Sequence, residues 1–126
     1  MKTIISTSNA PAAIGPYSQA NFANGILYIS GQIPLNPETG KLVEGIEKET
    51  HQVMKNLQAI LGEAGLTFKN VVKATIFLKN MDDFAVMNEI YASYLDADHY
   101  PARETVQVSC LPKNVDIEIS MIAHQF

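Results

Sequence analysis

Two segments of the chain carry apolar residues at the spacing of an amphipathic helix. The first, residues 46–64, has acidic residues near its start and Gly65 as a stop signal at its end. Its apolar positions recur at helical spacing: Val53, Leu57, Ile60, Leu61 and Ala64. The second, residues 81–95, has Asn80 or Asp82 as a candidate N-cap. Its predicted buried stripe consists of Phe84, Met87, Ile90, Tyr91 and Tyr94.

Six other segments have the composition and alternation of β-strands. They are a short strand at 4–5, then 17–23, 26–30, 71–79, 103–110 and 115–124. Asn24-Gly25 predicts a tight hairpin between the second and third strands. Residues 9–16 and 31–40 are predicted loops because they contain proline and glycine. The order β-β-β-α-β-α-β-β predicts an α+β fold with two helices covering one face of a sheet.

The alternation in the last two strands assigns their side chains to faces. Val115, Ile117, Ile119 and Met121 share one parity, and Glu118 has the other. In the preceding strand Val106, Val108 and Cys110 alternate with Arg103. We therefore expect the aliphatic residues and Cys110 to face the helices, and Arg103 and Glu118 to project from the opposite face. That open face must meet solvent, a ligand or another subunit.

Composition limits the classes of function. The chain has 126 residues, which suit one domain spanning 1–126. Its net charge is −4, and an acidic balance argues against nucleic-acid or anionic-membrane partners. There is no long apolar run and no signal-peptide pattern, and Cys110 is the only cysteine. We therefore expect a cytoplasmic protein.

The usual catalytic and metal-binding motifs are missing from the sequence. The histidines His51, His99 and His124 lack ligand-like spacing, so no metal site is predicted. No glycine-rich phosphate loop occurs. Cys110 lies on the apolar parity and is interpreted as a buried structural thiol.

Arg103 and Glu118 remain as candidate functional groups. An arginine just after Pro101, at the start of a strand, suits a fixed grip on a carboxylate. One alternative is a cross-strand ion pair. A simple hairpin between the closing strands would place Gln107 opposite Glu118 and Arg103 roughly 13 Å away, which is too far for direct pairing. A site assembled from two subunits would bring the two groups together.

Six motifs in order resemble the Rid family, the reactive-intermediate (imine) deaminases, in its RidA-like branch. They cover nearly the whole chain: 12–20 (AAIGPYSQA), 30–34 (SGQIP), 71–75 (VVKAT), 100–103 (YPAR), 111–112 (LP) and 115–119 (VDIEI). The resemblance implies a single Rid-type domain with a chorismate-mutase-like mixed sheet, forming a homotrimer with ligand clefts between subunits. It also implies a 2-iminobutanoate/2-iminopropanoate deaminase, a hydrolase acting on C=N bonds, that needs no cofactor.

The resemblance also implies roles for particular residues. Arg103 would grip the carboxylate of a 2-imino or enamino acid, and Glu118 would hold or activate the attacking water. Five further residues would line the cleft: Tyr17, Ser30, Gly31, Asn88 and Thr105. Thr105 stands where many close relatives have cysteine, so the resemblance implies no cysteine-based regulation at this position. The products would be 2-keto acids and ammonia, from imines released by pyridoxal-phosphate dehydratases acting on serine or threonine.

Two other functions remain open at this point. A sensing or regulatory module could bind keto or amino acids in the same cleft without turnover. An RNA-cleaving translation inhibitor, a role attached to some family members, is disfavoured by the acidic balance and the lack of a basic stripe. Retention of both Arg103 and Glu118 favours the enzyme, because carboxylate capture alone requires only the arginine.

Overall fold

A six-stranded sheet and two helices form the fold in the computed structural model, which describes residues 1–126. The strands are β1 Thr3–Ile5, β2 Ala20–Ala23, β3 Ile26–Gln32, β4 Leu35–Asn36, β5 Lys41–Leu42, β6 Val71–Leu78, β7 Ala102–Gln107 and β8 Ile117–His124. The helices are α1 Ile46–Glu63 and α2 Phe84–Ser93. The α+β prediction, with both helices on one face of a mixed sheet, is confirmed.

The strand order of the large sheet is β1-β2-β3-β8-β6-β7. All neighbours are antiparallel except β6 and β7, which are parallel and joined through α2. β4 and β5 form a separate two-stranded hairpin inside a segment that was predicted to be mostly loop. Strands of only two residues, one of them between Pro34 and Pro37, leave too short a pattern for a prediction from sequence.

The helix ends follow their local chemistry. α1 has nearly its predicted bounds. Its residues Leu57, Ile60 and Leu61 are fully buried, which accounts for the regular spacing of apolar residues in this segment. α2 begins three residues later than predicted. The Asn80 side chain accepts a hydrogen bond from the Asp82 amide at 2.9 Å, and this cap starts a 3-10 turn before the helix proper.

The core lies between the helices and one face of the sheet. Its central layer is fully buried and comes from β6 and β8: Ala74, Ile76, Leu78, Ile117 and Ile119. The parity prediction for β8 is therefore confirmed. The opposite face carries Tyr28, Ile122, Phe77 and Val106 among polar residues, and no helix covers it. We call it the open face.

The predicted hairpin between the last two strands is wrong. β6 lies between β7 and β8, and the register aligns Ala74 with both Arg103 and Met121. Since Ala74 faces the helices, Arg103 does too, whereas Glu118 does project from the open face. Val106, expected to face the helices, lies on the open face and is 43% exposed.

Cys110 is exposed, so its prediction as a buried thiol is also wrong. β7 ends at Gln107, and the chain leaves the sheet before Cys110. Side chains alternate between the two faces of a sheet only within a strand, so the alternation does not indicate which way Cys110 points.

Glu49 ties the first turn of α1 to the start of β8. It is 3% exposed, and its Oε1 accepts a hydrogen bond from the Asp116 amide at 3.0 Å, across 67 residues of sequence. Burial, with a further contribution from the Asp116 side chain, raises the pKa of Glu49 from 4.5 to about 7. The folded protein therefore holds this proton more tightly than the unfolded chain, and stability falls as pH rises from 4.5 to about 7.

Glu49→Gln should therefore stabilise the protein at high pH. The amide keeps an acceptor for the Asp116 N–H but carries no charge to desolvate. We expect a gain of about 1–2 kcal/mol near pH 8 after allowing for solvent screening, and little change near pH 5, in denaturant unfolding. The exposed Glu47→Gln should show no such difference between the two pH values. An equal loss of stability at both pH values in Glu49→Gln would contradict this account.

Candidate active site

Arg103 is held in a fixed position beneath α2. Its Nη1 donates a hydrogen bond to Oδ1 of Asn88 at 2.6 Å. The guanidinium carbon lies 5.6 Å from the ring centroid of Phe84 and 5.2 Å from that of Tyr91, within the range of cation–π attraction. No carboxylate of the chain forms an ion pair with it. A guanidinium held in this way keeps its charge and most of its donors for an external anion.

A cavity of about 380 Å³ opens beside the guanidinium, and we call it the arginine cavity. It is lined by Asn88, Tyr91, Ala92, Tyr100, Pro101 and Arg103. Its only charged side chain is the arginine, and its volume is ample for a small carboxylic acid. The structure thus places Arg103 and Asn88 together at one cavity.

A β-bulge shapes the second half of the candidate site. Ile29 of β3 pairs with Met121 and Gln32 pairs with Ile119, so two residues of β3 stand opposite Ser120 alone. Those two residues are Ser30 and Gly31. Bulges re-aim side chains and backbone at functional sites, and this one brings the Gly31 backbone against the Glu118 side chain.

The contact between Gly31 and Glu118 leaves no room for a larger residue. A Cβ on Gly31 would lie 2.5 Å from Oε2 of Glu118 and 2.8 Å from its carboxyl carbon. Glu118 is half-buried and has no ion-pair partner in the chain. Burial raises the pKa of its carboxyl above 4.5, which makes its carboxylate a stronger base than that of an exposed glutamate.

Glu118 borders a second cavity of about 620 Å³, which we call the glutamate cavity. Tyr17, Ser30 and Gly31 line it, so these three predicted residues lie with Glu118. The remaining lining residues are Pro11, Ala12, Ile14, Gln19, Gln32, Ile33, Leu35, Pro112 and Lys113. Tyr17 is 54% exposed, and the Ser30 hydroxyl donates to the Ser18 carbonyl at 2.6 Å.

The loop that carries Tyr17 is fixed by Gln19, a residue that the sequence did not single out as functional. Gln19 is 3% exposed. Its Oε1 accepts from the Thr7 amide at 2.7 Å, and its Nε2 donates to the carbonyls of Thr7, Ala10 and Pro11. These bonds fold residues 7–19 into a defined loop, which explains why β2 begins at Ala20 rather than at the predicted residue 17.

Within one chain the two candidate groups are far apart. Arg103 faces the helices and Glu118 faces away from them. Their backbones are also two strands apart across the sheet, about 9.6 Å, and three residues apart along the strand direction, about 10 Å. The cross-strand ion pair considered from the sequence is therefore absent. One small substrate cannot contact both groups of the same chain.

Thr105 lines neither the arginine cavity nor the glutamate cavity. It is half-buried on the helix-facing side of β7, and its hydroxyl is buried without a hydrogen-bond partner. Its assignment to substrate binding remains a prediction. Phe84 and Tyr91 were predicted only as core residues of α2, but they hold the guanidinium. Aromatic residues at helical spacing are expected both in a core and around a guanidinium, so the sequence could not distinguish these two roles.

The structure contains no group of three or more His, Cys, Asp or Glu side chains arranged to hold a metal ion. Neither helix is long and apolar enough to cross a membrane.

Comparison with known proteins identifies the family. The sequence profile described as endoribonuclease L-PSP matches residues 7–125. A RutC family protein of Pyrococcus horikoshii is 52% identical over 99% of both chains. The 2-iminobutanoate/2-iminopropanoate deaminase of Mus musculus is 48% identical, over 99% of this chain and 93% of the mouse protein.

The fold comparison agrees with the sequence comparison. A Rid-family protein of unknown function from Yersinia pestis has a crystal structure that superposes with a TM-score of 0.96. It is 55% identical, over 98% of this chain and 99% of the other. The chain therefore belongs to the Rid family, also described as the endoribonuclease L-PSP family.

The contact between Gly31 and Glu118 can be tested by a double-mutant cycle. Gly31→Ala should displace the carboxylate and cost about 1 kcal/mol, because the glutamate side chain can swing aside only in part. In a Glu118→Ala background the same change should cost almost nothing. Chemical unfolding of the four proteins gives the coupling.

Gly62→Ala is the matched control, since a methyl group added at Gly62 would meet nothing within 4 Å. Its effect should be the same whether residue 118 is glutamate or alanine. If Gly31→Ala has an equal effect in both backgrounds, the glycine does not position Glu118.

Proposed function

We propose that this protein hydrolyses reactive 2-imino and enamino acids, of the 2-aminoacrylate and 2-iminobutanoate type, to 2-keto acids and ammonia. The observation that carries the proposal is an unpaired, preorganised guanidinium on one side of the sheet and an unpaired, partly desolvated carboxylate on the other. The 48% identity to the mouse deaminase over nearly the whole chain supports the same reaction class.

The separation of the two groups leads us to propose that the active unit is a homotrimer. In such an assembly Arg103 of one protomer would meet Glu118 of its neighbour in a cleft between them. The open face supports self-association, because its Tyr28 and Val106 are 48% and 43% exposed. Apolar side chains on an uncovered sheet face favour burial against another subunit.

Each group has a distinct task in the proposed reaction. The Arg103 guanidinium binds the substrate carboxylate through paired N–H···O bonds and fixes the position of the adjacent imine carbon. Glu118 accepts a proton from a bound water as the water oxygen attacks that carbon, and the C=N π electrons move to nitrogen. Because the imine is protonated, its nitrogen is now a neutral amine, and the proton on Glu118 passes to it. The C–N bond then breaks to release ammonia, and the hydroxyl gives its proton to the regenerated Glu118 carboxylate as the C=O bond forms. The carboxylate passes this proton to the departing ammonia before the next turnover. Ammonia and the 2-keto acid leave.

The raised pKa of Glu118 suits this role. A protonated imine is already electrophilic, so the site must chiefly orient the substrate and hold a water. A carboxylate with a raised pKa removes a proton from that water more readily than an ordinary one.

Substitution of the anchor should abolish most of the activity. Arg103→Ala should lower kcat/KM about 30-fold to several-thousand-fold, from the 2–5 kcal/mol typical of a broken buried charge contact. Arg103→Lys should also be poor, since an ammonium lacks the planar fork. The assay couples the protein to a threonine dehydratase, with semicarbazide to trap the imine, and follows keto-acid formation. Lys48→Ala, which removes an exposed cation on α1, should leave the rate unchanged.

Glu118→Gln separates turnover from binding. It should lower kcat while 2-keto acid still binds, because the guanidinium anchor is intact. Near-normal hydrolysis in Arg103→Ala would refute the carboxylate anchor. If Glu118→Gln weakens keto-acid binding as much as Arg103→Ala does, the two roles are not separate, and a binding module without turnover becomes the better interpretation.

A further inference from the structure

Asn56 is a fully buried amide in the apolar stripe of α1. It is 0% exposed, and it lies at helical spacing from Val53 and Ile60, which are buried aliphatic residues. Removing an amide from water is costly unless hydrogen bonds within the protein replace those to water. Leucine at this position would continue the stripe without that cost. The packing of α1 therefore does not account for Asn56, and its hydrogen bonds show what it holds.

Both ends of the Asn56 amide are bonded. Its Nδ2 donates to the Ile33 carbonyl at 3.2 Å and to the Leu35 carbonyl at 3.0 Å, which lie 23 and 21 residues away in sequence. Its Oδ1 accepts from Nε2 of Gln52, one turn earlier in α1, at 2.9 Å. Because Gln52 supplies a donor on one side and the two carbonyls are acceptors on the other, the amide has a single favourable orientation.

The two carbonyls belong to a segment that borders the glutamate cavity. We call residues 32–35 the wall segment, since Gln32, Ile33 and Leu35 all line that cavity. The segment bends in a three-residue turn centred on Pro34, where the Leu35 amide donates to the Ile33 carbonyl at 2.8 Å. Asn56 bonds to the carbonyls on both sides of Pro34, and so it attaches this turn to α1.

The wall segment continues directly from the β-bulge that contacts Glu118. Gln32 ends β3, and its Nε2 donates to the Ser30 carbonyl in the bulge at 3.1 Å. The Gly31 backbone between them lies against the Glu118 carboxylate. A shift of the wall segment would therefore move the bulge, and the carboxylate would lose the surface that holds it.

We propose that Asn56 is a positioning residue, which holds the wall segment against α1 and thereby fixes the bulge and the Glu118 carboxylate. Asn56 lines neither the arginine cavity nor the glutamate cavity, so it acts only through residues 30–35. The inference deepens the proposed function, and it rests on that function only for the catalytic consequence. The position of the carboxylate can be measured without any turnover.

Asn56→Leu tests the proposal, with Thr50→Val as the matched control. Thr50 is also 0% exposed on α1, but its hydroxyl donates within the helix, to the Ile46 carbonyl at 2.6 Å. Both variants lose buried hydrogen bonds, and only Asn56→Leu releases the wall segment.

Carbon NMR titration of the Glu118 carboxyl group follows the carboxylate directly, with its signal assigned by its absence in Glu118→Gln. Burial raises the pKa of Glu118 above 4.5. In Asn56→Leu the loosened bulge should admit water to the carboxylate, so its pKa should fall toward 4.5. In Thr50→Val this pKa should stay at its wild-type value.

The kinetic consequence should appear in turnover rather than in binding. In the dehydratase-coupled assay Asn56→Leu should lower kcat about 10-fold, because a displaced Glu118 activates water poorly. The calorimetric Kd for 2-ketobutyrate should stay within about 3-fold, since the Arg103 anchor is unchanged. Thr50→Val should change neither quantity.

Gln52→Leu provides a milder second variant. Gln52 is half-buried, and its loss frees the Asn56 amide to turn away from the carbonyls. The Glu118 pKa and kcat should both change in the same direction as in Asn56→Leu, by a smaller amount.

An unchanged Glu118 titration in folded Asn56→Leu would overturn the inference, and so would an equal change in Thr50→Val. A Kd weakened as much as kcat falls would show general disruption and would also overturn it. If Asn56→Leu does not fold, an unchanged titration in Gln52→Leu has the same meaning. A wild-type protein that fails to hydrolyse imines would refute the deaminase proposal, and the titration would still decide the role of Asn56.

Discussion

The parallel pairing of β6 with β7 is the constraint on which the rest of the site depends. Because parallel strands need a crossover, α2 must pass over the sheet and lie against β7. The register that aligns Arg103 with Ala74 turns the arginine toward that helix, where Asn88 and two aromatic rings receive it. β8 pairs with the other edge of β6, and its register places the Glu118 side chain on the opposite face of the sheet. The same topology thus positions both Arg103 and Glu118 and keeps them apart within one chain.

The β-bulge in β3 plays the corresponding part for Glu118. By inserting Gly31 beside the carboxylate, it allows the backbone to approach where any side chain would collide. The Gln19 side chain then closes the loop that carries Tyr17 over the same cavity. The position of Glu118 therefore depends on local backbone geometry, and the position of Arg103 depends on aromatic packing around its charge.

The sequence predicted α1, the β2–β3 hairpin and the buried face of β8 well, because long periodic runs and Asn24-Gly25 are strong local signals. It predicted the partners of β7 and β8 wrongly, because strand neighbours are set by long-range packing and no local pattern reports the insertion of β6. That error also reversed the face of Arg103. Cys110 was misplaced because alternation was extended past the end of a strand. Arg103 and Glu118 were singled out from their strand positions, and the other candidate residues came from the family resemblance, which carries no geometry. Their grouping around two cavities, and the parts taken by Phe84, Tyr91 and Gln19, required the structure.

If one site takes Arg103 and Glu118 from different protomers, as we propose, mixed trimers of two inactive variants should recover activity. Arg103→Ala and Glu118→Gln proteins, each nearly inactive alone, are unfolded together and refolded, and light scattering then checks for an assembly of three chains. In randomly mixed trimers, about a quarter of the sites should contain both a native Arg103 and a native Glu118. The mixture should therefore have about a quarter of wild-type activity. Each variant refolded alone should stay inactive. Mixed trimers as inactive as the two parent proteins would contradict the shared site.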